Sequence, residues 1–248
     1  MASHPIFEFM AELSDYRPKI WRRFQVSSDF SLARLAYVVM TMFEMQASHL
    51  FAVEVFKRKN LTRFLEKDYS KAEVSKVLSR NPVEEAVRYE IIGDDFDYPG
   101  HEPTDPVGVK LKDAVGRVGD ELCVEYDFGD GWRVLLTIED VFEDKDLPGK
   151  ELPRVLAGEG FGIIEDCGGP DGLKQLARSF SRKKGAEYQE NREWLGVDDL
   201  DLSAFDLEDM NFRVKKIPRI YADIYERDLP PTKASMDLLM RKYKDKVK

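Results

Sequence analysis

Residues 123–134 read CVEYDFGDGWRV, and this stretch decides the expected fold of the middle of the chain. Apolar and polar residues alternate before and after Gly129-Asp130-Gly131, from 121 to 128 and from 132 to 142. Alternation with a period of two is typical of half-buried strands, and glycine supplies the positive φ angles that a tight turn requires. The sequence therefore predicts a β-hairpin with its turn at residues 129–131.

The acidic residues around this turn allow two interpretations. In the first, Asp130 is a turn residue and Asp127 accepts a hydrogen bond from a nearby arginine or backbone N–H group. In the second, the turn brings Asp127 and Asp130 together with Glu165 and Asp166 as a cluster of oxygen ligands for Mg²⁺ or Ca²⁺. The first interpretation is favoured. We therefore expect no cofactor beyond weakly bound, exchangeable Mg²⁺ or Ca²⁺, and no tight transition-metal site.

Outward from the hairpin, strands and helices are interspersed without a regular βαβ repeat, which predicts the α+β class. Strands are expected at 6–13, 19–26, 49–56 and 87–93, a loop at 94–108, and helices at 31–45, 70–80, 109–119, 173–183, 187–195 and 206–216. A last amphipathic helix, with Met236, Leu239, Met240 and Tyr243 on one face, is expected after residues 228–231. We divide the chain into a main domain, 1–216, and a C-terminal helical extension, 217–248.

The bulk composition excludes several classes of protein. With 248 residues and 43% hydrophobic residues, the chain can fill a sizeable core. It has no run of about 18 apolar residues, so no membrane span or membrane partner is expected. The first residues lack the pattern of a signal peptide, and the two cysteines, Cys123 and Cys167, suit a reducing compartment. A cytoplasmic location is therefore expected.

The net charge of −9 is unevenly distributed. Residues 187–209 hold nine acidic side chains and a single basic one, Arg192. Four small basic clusters, at 17–23, 57–63, 178–184 and 241–248, are each expected to be a solvated face. Because a dedicated nucleic-acid-binding domain is usually basic, nucleic acid is a possible but not a favoured partner.

The stretch Glu165-Asp166-Cys167-Gly168-Gly169 is a second candidate site. Its two glycines allow close backbone approach, and the helix that follows offers N–H groups that could receive an anion or a neighbouring carboxylate. The favoured interpretation is a rigid loop whose own acids cap that helix. Cys167 could be a reactive thiol, since a helix N-terminus lowers a thiol pKa, although a buried structural cysteine is more common.

Three further side chains have simple structural interpretations. His49 stands alone in sequence, so a zinc site would have too few ligands. Trp132 is expected to lie in the core. Trp194 is expected to hold the acidic helix against the body of the protein.

Taken in order, several segments resemble those of one family. They are RPKIWRRFQV (17–26), SHLFAVEV (48–55), LKDAV (111–115), YDFGDGW (126–132), EDCGGPDGL (165–173) and ENREWLG (190–196). The family is the Ri-plasmid (pRiA-type) open-reading-frame-three-like family, whose members are also labelled insertion-element TnpR-like proteins. The resemblance covers about residues 5–215 and implies a curved, mainly antiparallel sheet flanked by helices, with no established activity. The TnpR label implies a resolvase. The sequence, however, shows no serine nucleophile set among arginines that would carry out recombination chemistry.

The chain departs from the family pattern where the family has histidine, cysteine and tryptophan. Leu35-Ala36 stands where the family has a Leu-His pair, and Glu44-Met45 stands where it has a Gly-Trp pair. Val134 takes the place of a histidine, and Gly162-Ile163-Ile164 takes the place of a Cys-Pro-Pro segment. The candidate site residues that remain are Asp127, Asp130, Trp132, Glu165, Asp166, Cys167 and His49.

These departures favour a non-catalytic interaction module with a protein partner, one that serves a mobile element or its host. Two alternatives stay open. One is a metal-assisted hydrolase or nuclease that uses the four acids, and the other is a nucleic-acid-binding protein that uses the basic clusters around Trp21.

Overall fold

A computed structural model describes residues 5–91 and 104–240 and contains one antiparallel sheet of seven strands. The strands are β1 (Ile6–Leu13), β2 (Trp21–Ser27), β3 (Phe51–Val55), β4 (Val87–Glu90), β5 (Glu121–Tyr126), β6 (Trp132–Phe142) and β7 (Arg154–Glu159). Their order across the sheet is β4-β3-β5-β6-β1-β2-β7. Register shifts at Glu8/Phe9 and Arg23/Phe24 mark bulges, which bend strands. The predicted α+β class with a mainly antiparallel sheet is confirmed.

Helices flank this sheet. They are α1 (Leu32–Met42), α2 (Lys57–Leu65), α3 (Lys71–Arg80), α4 (Leu111–Ala114), α5 (Gly169–Arg182), α6 (Ala186–Leu195), α7 (Leu207–Val214), α8 (Ile217–Arg227) and α9 (Lys233–Leu239). Among residues 5–91 and 104–240, no helix is both long enough and apolar enough to cross a membrane. Most of the loop expected at 94–108, and Tyr243 of the last helix, lie outside the described residues.

Sequence analysis missed α2 and β7, and it did not separate α8 from the rest of the C-terminal helical extension. Helix α2 is polar and basic, and Asn60 is its one buried residue, so it lacks the apolar stripe by which amphipathic helices are found. Strand β7 follows a proline and contains Gly158, and both residues weaken a strand signal.

Helix α1 is the centre of the core. Ser31 caps its N-terminus by accepting a hydrogen bond from the N–H of Arg34, 3.1 Å away. All its residues except Arg34 are buried, because it lies between strands of the sheet and the C-terminal helices α7 and α8. Tyr221 of α8 is fully buried in the same hydrophobic core, and its hydroxyl donates to the carbonyl oxygen of Met45, 2.5 Å away. The domain division at residue 216 stays a prediction.

Arg22 departs from the solvated face expected at 17–23, whereas Arg17 and Lys19 are exposed as expected. The Arg22 side chain is fully buried and donates to carbonyl groups, including those of Glu159, Gly160 and Phe161 at 2.7–3.0 Å. Burial lowers the pKa of this guanidinium to about 9, although the nearby Glu44 carboxylate opposes the shift. Arg22 therefore fixes the segment that leads from β7 to the second candidate loop.

Two of the other basic clusters are partly engaged by acids of the fold. Lys59 and Arg63 of α2 both form ion pairs with Glu121, whose side chain is only 9% exposed. Lys183 forms an ion pair with Asp199. The cluster at 241–248 lies outside the described residues. The clusters at 57–63 and 178–184 are therefore partly occupied by internal ion pairs.

Candidate functional site

The hairpin turn has the predicted position and a defined geometry. Asp127 adopts a φ of 52°, and its Oδ1 accepts hydrogen bonds from the N–H groups of Gly129 and Asp130, at 3.0 and 3.3 Å. The N–H of Gly131 donates to the carbonyl oxygen of Asp127, 2.6 Å away. Gly131 has a φ of +67°, with open space where a Cβ would stand. These contacts match the first interpretation of Asp127 and Asp130, as turn residues bonded to backbone groups.

The second candidate loop lies directly against this turn. Asp130 Oδ2 accepts a hydrogen bond from the N–H of Gly168, 3.2 Å away, at the residue that precedes α5. A Cβ on Gly169 would overlap the carbonyl oxygen of Asp130, so only glycine allows this approach. The helix N-terminus thus receives a carboxylate, as expected. That carboxylate comes from the hairpin turn, whereas we expected it from Glu165 or Asp166.

His49 lies close to three of the four candidate acids. We name His49, Asp127, Glu165 and Asp166 the His49 cluster. Its Nε2 lies 3.5 Å from Asp127 Oδ2, 3.5 Å from Asp166 Oδ1 and 4.0 Å from Glu165 Oε2. The pairing of β3 with β5 sets Phe51 opposite Tyr126, and this register places His49 beside the start of the turn. His49 therefore lies beside three of the acids with which the sequence analysis grouped it as candidate site residues.

Glu165 is the most buried member of the His49 cluster, with a side chain only 9% exposed. Its Oε1 accepts hydrogen bonds from the Tyr126 hydroxyl at 2.8 Å and the Gln46 N–H at 2.6 Å, and among the described residues its Oε2 has no hydrogen-bond donor. Burial raises the pKa of Glu165, although the contacts with Tyr126, Gln46 and His49 act in the opposite direction. Burial, together with the Glu165 charge, also raises the pKa of Tyr126.

Sequence analysis missed Tyr126. It occupies the same strand face as Leu122 and Val124, all of them buried, and its ring meets that of His49 edge to face with 5.7 Å between centroids. The alternation of β5 was the available signal, because it places Tyr126 on the core side immediately before Asp127.

Cys167 is half-buried beside the start of α5, and Trp132 lies in the core. Burial, with a smaller contribution from the Asp130 charge, raises the pKa of the Cys167 thiol to about 12. This direction is opposite to the one that a reactive thiol at a helix N-terminus requires. Trp132 is completely buried, as predicted. Within the described parts of the chain, no group of three or more His, Cys, Asp or Glu side chains is arranged to hold a metal ion.

The acidic segment contributes a groove of about 560 Å³, which we name the acidic groove. It is lined by Glu44, Phe161, Asp201, Ala204, Phe205, Asp206, Leu207, Glu208, Asp209 and Met210. At its base, Glu44 forms a buried ion pair with Arg213, and the Arg22 guanidinium lies 4.4 Å from the Phe205 ring centroid. The groove therefore combines exposed carboxylates with an apolar wall.

Trp194 does not hold the acidic helix α6 against the body, because it is 50% exposed. Tyr188 has that role. It is buried, its ring meets Phe180 edge to face at 5.5 Å, and its hydroxyl donates to the carbonyl oxygen of Asp198, 3.0 Å away.

Residues 5–212 match the family of plasmid pRiA4b ORF-3-like proteins. The chain belongs to this family. It is 32% identical over 124 residues to the uncharacterised protein y4hQ of Sinorhizobium fredii, a match that covers 50% of this chain and 62% of y4hQ. A solved structure of a protein of unknown function from Methanosarcina mazei Go1 is similar, with a TM-score of 0.62 at 22% identity. That similarity covers 83% of this chain and 97% of the other, and it shows the fold alone.

Proposed function

We propose that this pRiA4b ORF-3-like protein is a non-catalytic interaction module whose acidic groove receives a basic segment of a protein partner. One observation carries the proposal: carboxylates and apolar side chains converge on the same groove. Asp206 and Glu208 are exposed there, and Leu207, between them, is 40% exposed. A partner with alternating basic and apolar residues would match both the charge and the apolar surface.

The groove is also held rigidly, which favours binding. The Glu44–Arg213 ion pair is buried at its base, and Arg22 fixes the backbone at Phe161. A preorganised surface loses less conformational entropy on binding than a mobile one. Rigid support therefore adds to the charge complementarity of the groove.

The test is titration of a fluorescent peptide of alternating lysine and leucine, with Asp206→Asn/Glu208→Gln as the variant. Asparagine caps a helix as well as aspartate does, so the fold of α7 is kept while two charges are removed. Two rim charges contribute on the order of 1.4 kcal/mol together, so affinity should fall about tenfold at low salt. Glu66→Gln/Asp68→Asn, which removes two exposed charges elsewhere, is the matched control. Equal loss in both variants would refute the groove as the docking site.

A cytoplasmic location and service to a mobile element belong to the same proposal. The two free cysteines, Cys123 and Cys167, support the first. The plasmid origin in the family description supports the second.

A second candidate function, a metal-assisted hydrolase or nuclease, is favoured by the His49 cluster. A buried carboxylate of raised pKa beside an imidazole is the kind of pair that can act in proton transfer. Calorimetry with Zn²⁺, Mn²⁺, Mg²⁺ and Ca²⁺, repeated on Asp127→Asn and Glu165→Gln, tests this function. Tight binding that both substitutions abolish would favour the hydrolase over the interaction module. We expect at most weak, exchangeable Mg²⁺ or Ca²⁺.

A further inference from the structure

A second surface of the molecule has the opposite charge to the acidic groove. A cavity of about 570 Å³ lies between the start of α1, residues 149–153 and the corner between α7 and α8. Five basic side chains line it: Arg34, Lys150, Lys215, Arg219 and Arg227. One acid, Glu226, stands among its described lining residues. We name it the basic cavity, and its charge contrasts with the net charge of −9 of the whole chain.

Apart from Arg34, whose guanidinium lies over the Phe30 ring, the basic side chains of the cavity are weakly engaged. Lys215 pairs with Glu151 at 2.9 Å, but both side chains are at least 40% exposed, and Arg227 pairs with Asp223 one turn earlier on α8. Exposed ion pairs of this kind contribute little to stability and can be exchanged for a ligand. Within the described residues, Lys150 and Arg219 form no salt bridge, and both are exposed.

The floor of the cavity is apolar and aromatic. Leu152, Pro153, Val214 and Pro218 are buried where they line it. The completely buried Tyr37 also lines it, with its hydroxyl near the Glu226 carboxylate. Burial and this carboxylate raise the pKa of Tyr37, so the phenol stays neutral. The lining therefore offers exposed cations together with apolar side chains.

We propose that the basic cavity binds a small phosphate monoester that carries an apolar or aromatic group. Arginine and lysine form charge-assisted hydrogen bonds with phosphate oxygens, and several such cations can neutralise its two negative charges. The apolar floor accounts for the organic group, which inorganic phosphate lacks. The volume lies within the range of small-molecule sites, about 300–1,000 Å³. This inference does not depend on the acidic groove, because it uses different side chains.

The experiment is calorimetric titration of the full chain with phenyl phosphate, inorganic phosphate and citrate. Phenyl phosphate should bind at least about fivefold more tightly than inorganic phosphate, and citrate should bind more weakly than either. Binding of citrate as tight as that of phenyl phosphate would overturn the phosphate assignment. The absence of any phosphate binding would overturn the site itself.

Matched variants locate the binding. Lys150→Gln and Arg219→Gln should each weaken phenyl phosphate binding about tenfold, since each removes one exposed cation from the cavity. Arg182→Gln and Lys184→Gln, exposed and outside the cavity lining, should leave it unchanged. Equal loss in the control variants would overturn the proposal in favour of nonspecific attraction.

A duplex DNA oligonucleotide that displaces phenyl phosphate, and whose own binding is lost in Lys150→Gln and Arg219→Gln, would overturn the small-molecule assignment.

Discussion

The hairpin turn (127–131) and the second candidate loop (165–169), which we call the two signature loops, hold their carboxylates differently from the acidic groove. In the loops, Asp127 and Asp130 accept hydrogen bonds from backbone N–H groups, and Glu165 accepts them from Tyr126 and Gln46. At the groove, Asp206 and Glu208 are exposed. The difference separates structure from binding, because a carboxylate held among internal donors mainly stabilises the fold, whereas an exposed one still faces a partner, even Asp206, which also caps α7. Substitutions in the loops should therefore reduce stability, and substitutions at the groove rim should reduce binding alone.

The largest effect is expected where the groove contains a buried carboxylate. Arg213→Leu removes the guanidinium that forms an ion pair with the buried Glu44, and breaking a buried ion pair costs about 3–5 kcal/mol. Urea unfolding should show this loss, while Arg219→Leu, at an exposed position, should change stability by less than about 0.5 kcal/mol. A loss below about 1 kcal/mol for Arg213→Leu would show that the pair does not support the groove.

Two glycines with almost the same φ test the contact between the loops. Gly131 and Gly169 have φ angles of +67° and +70°, so alanine should cost both about 1 kcal/mol in backbone strain. Gly131 has open space for a Cβ, whereas Gly169 has the Asp130 carbonyl in the way. Gly169→Ala should therefore cost a further 1–3 kcal/mol or so, comparable with other overpacking changes. Equal thermal melts for the two variants would contradict the close approach of the loops.

Much of this fold could be predicted because its signals are local. The alternation around Gly129-Asp130-Gly131 gave the hairpin, and Ser31 followed by a helical apolar pattern gave α1. Arg22 also had a local signal, since it shares a strand face with Phe24 and Val26, but its partners lie at residues 159–161. Every residue has a backbone carbonyl group, so the sequence does not show which of them will accept hydrogen bonds from an arginine. Arg22, on an apolar strand face, was therefore interpreted as solvent-exposed.

The candidate site depends on contacts that are distant in sequence, which limited the prediction. His49, Asp127 and Glu165 come together only through the register of β3 on β5 and the contact between the two loops. A single sequence contains the residue types but not that register. For the same reason, the carboxylate at the α5 N-terminus was assigned to the nearest acids, Glu165 and Asp166. It belongs instead to Asp130, which is 38 residues away from Gly168 in the sequence.

The pH dependence of stability should distinguish Glu165 from an exposed acid. Its folded pKa lies above the ordinary value of 4.5, so the folded state holds the proton more tightly than the unfolded state. This contribution to stability is complete below about pH 4.5 and is lost as the pH rises through the folded pKa. Glu165→Gln should remove that decline, so the stability of the variant relative to the parent should increase with pH above 4.5. Parallel curves of urea midpoint against pH would contradict the shift.

The smallest effect is expected at the groove rim. Asp206 accepts a hydrogen bond from the Asp209 N–H at 3.0 Å, and asparagine can replace it in that cap. Glu208 lies in the first turn of α7, where a negative charge contributes only a few tenths of a kcal/mol. Asp206→Asn/Glu208→Gln should therefore change the free energy of unfolding by less than about 0.5 kcal/mol, even though it removes two charges from the groove. Urea unfolding measures this directly. A loss above about 1 kcal/mol would place the rim carboxylates with those of the signature loops, because their main role would then be to hold the fold.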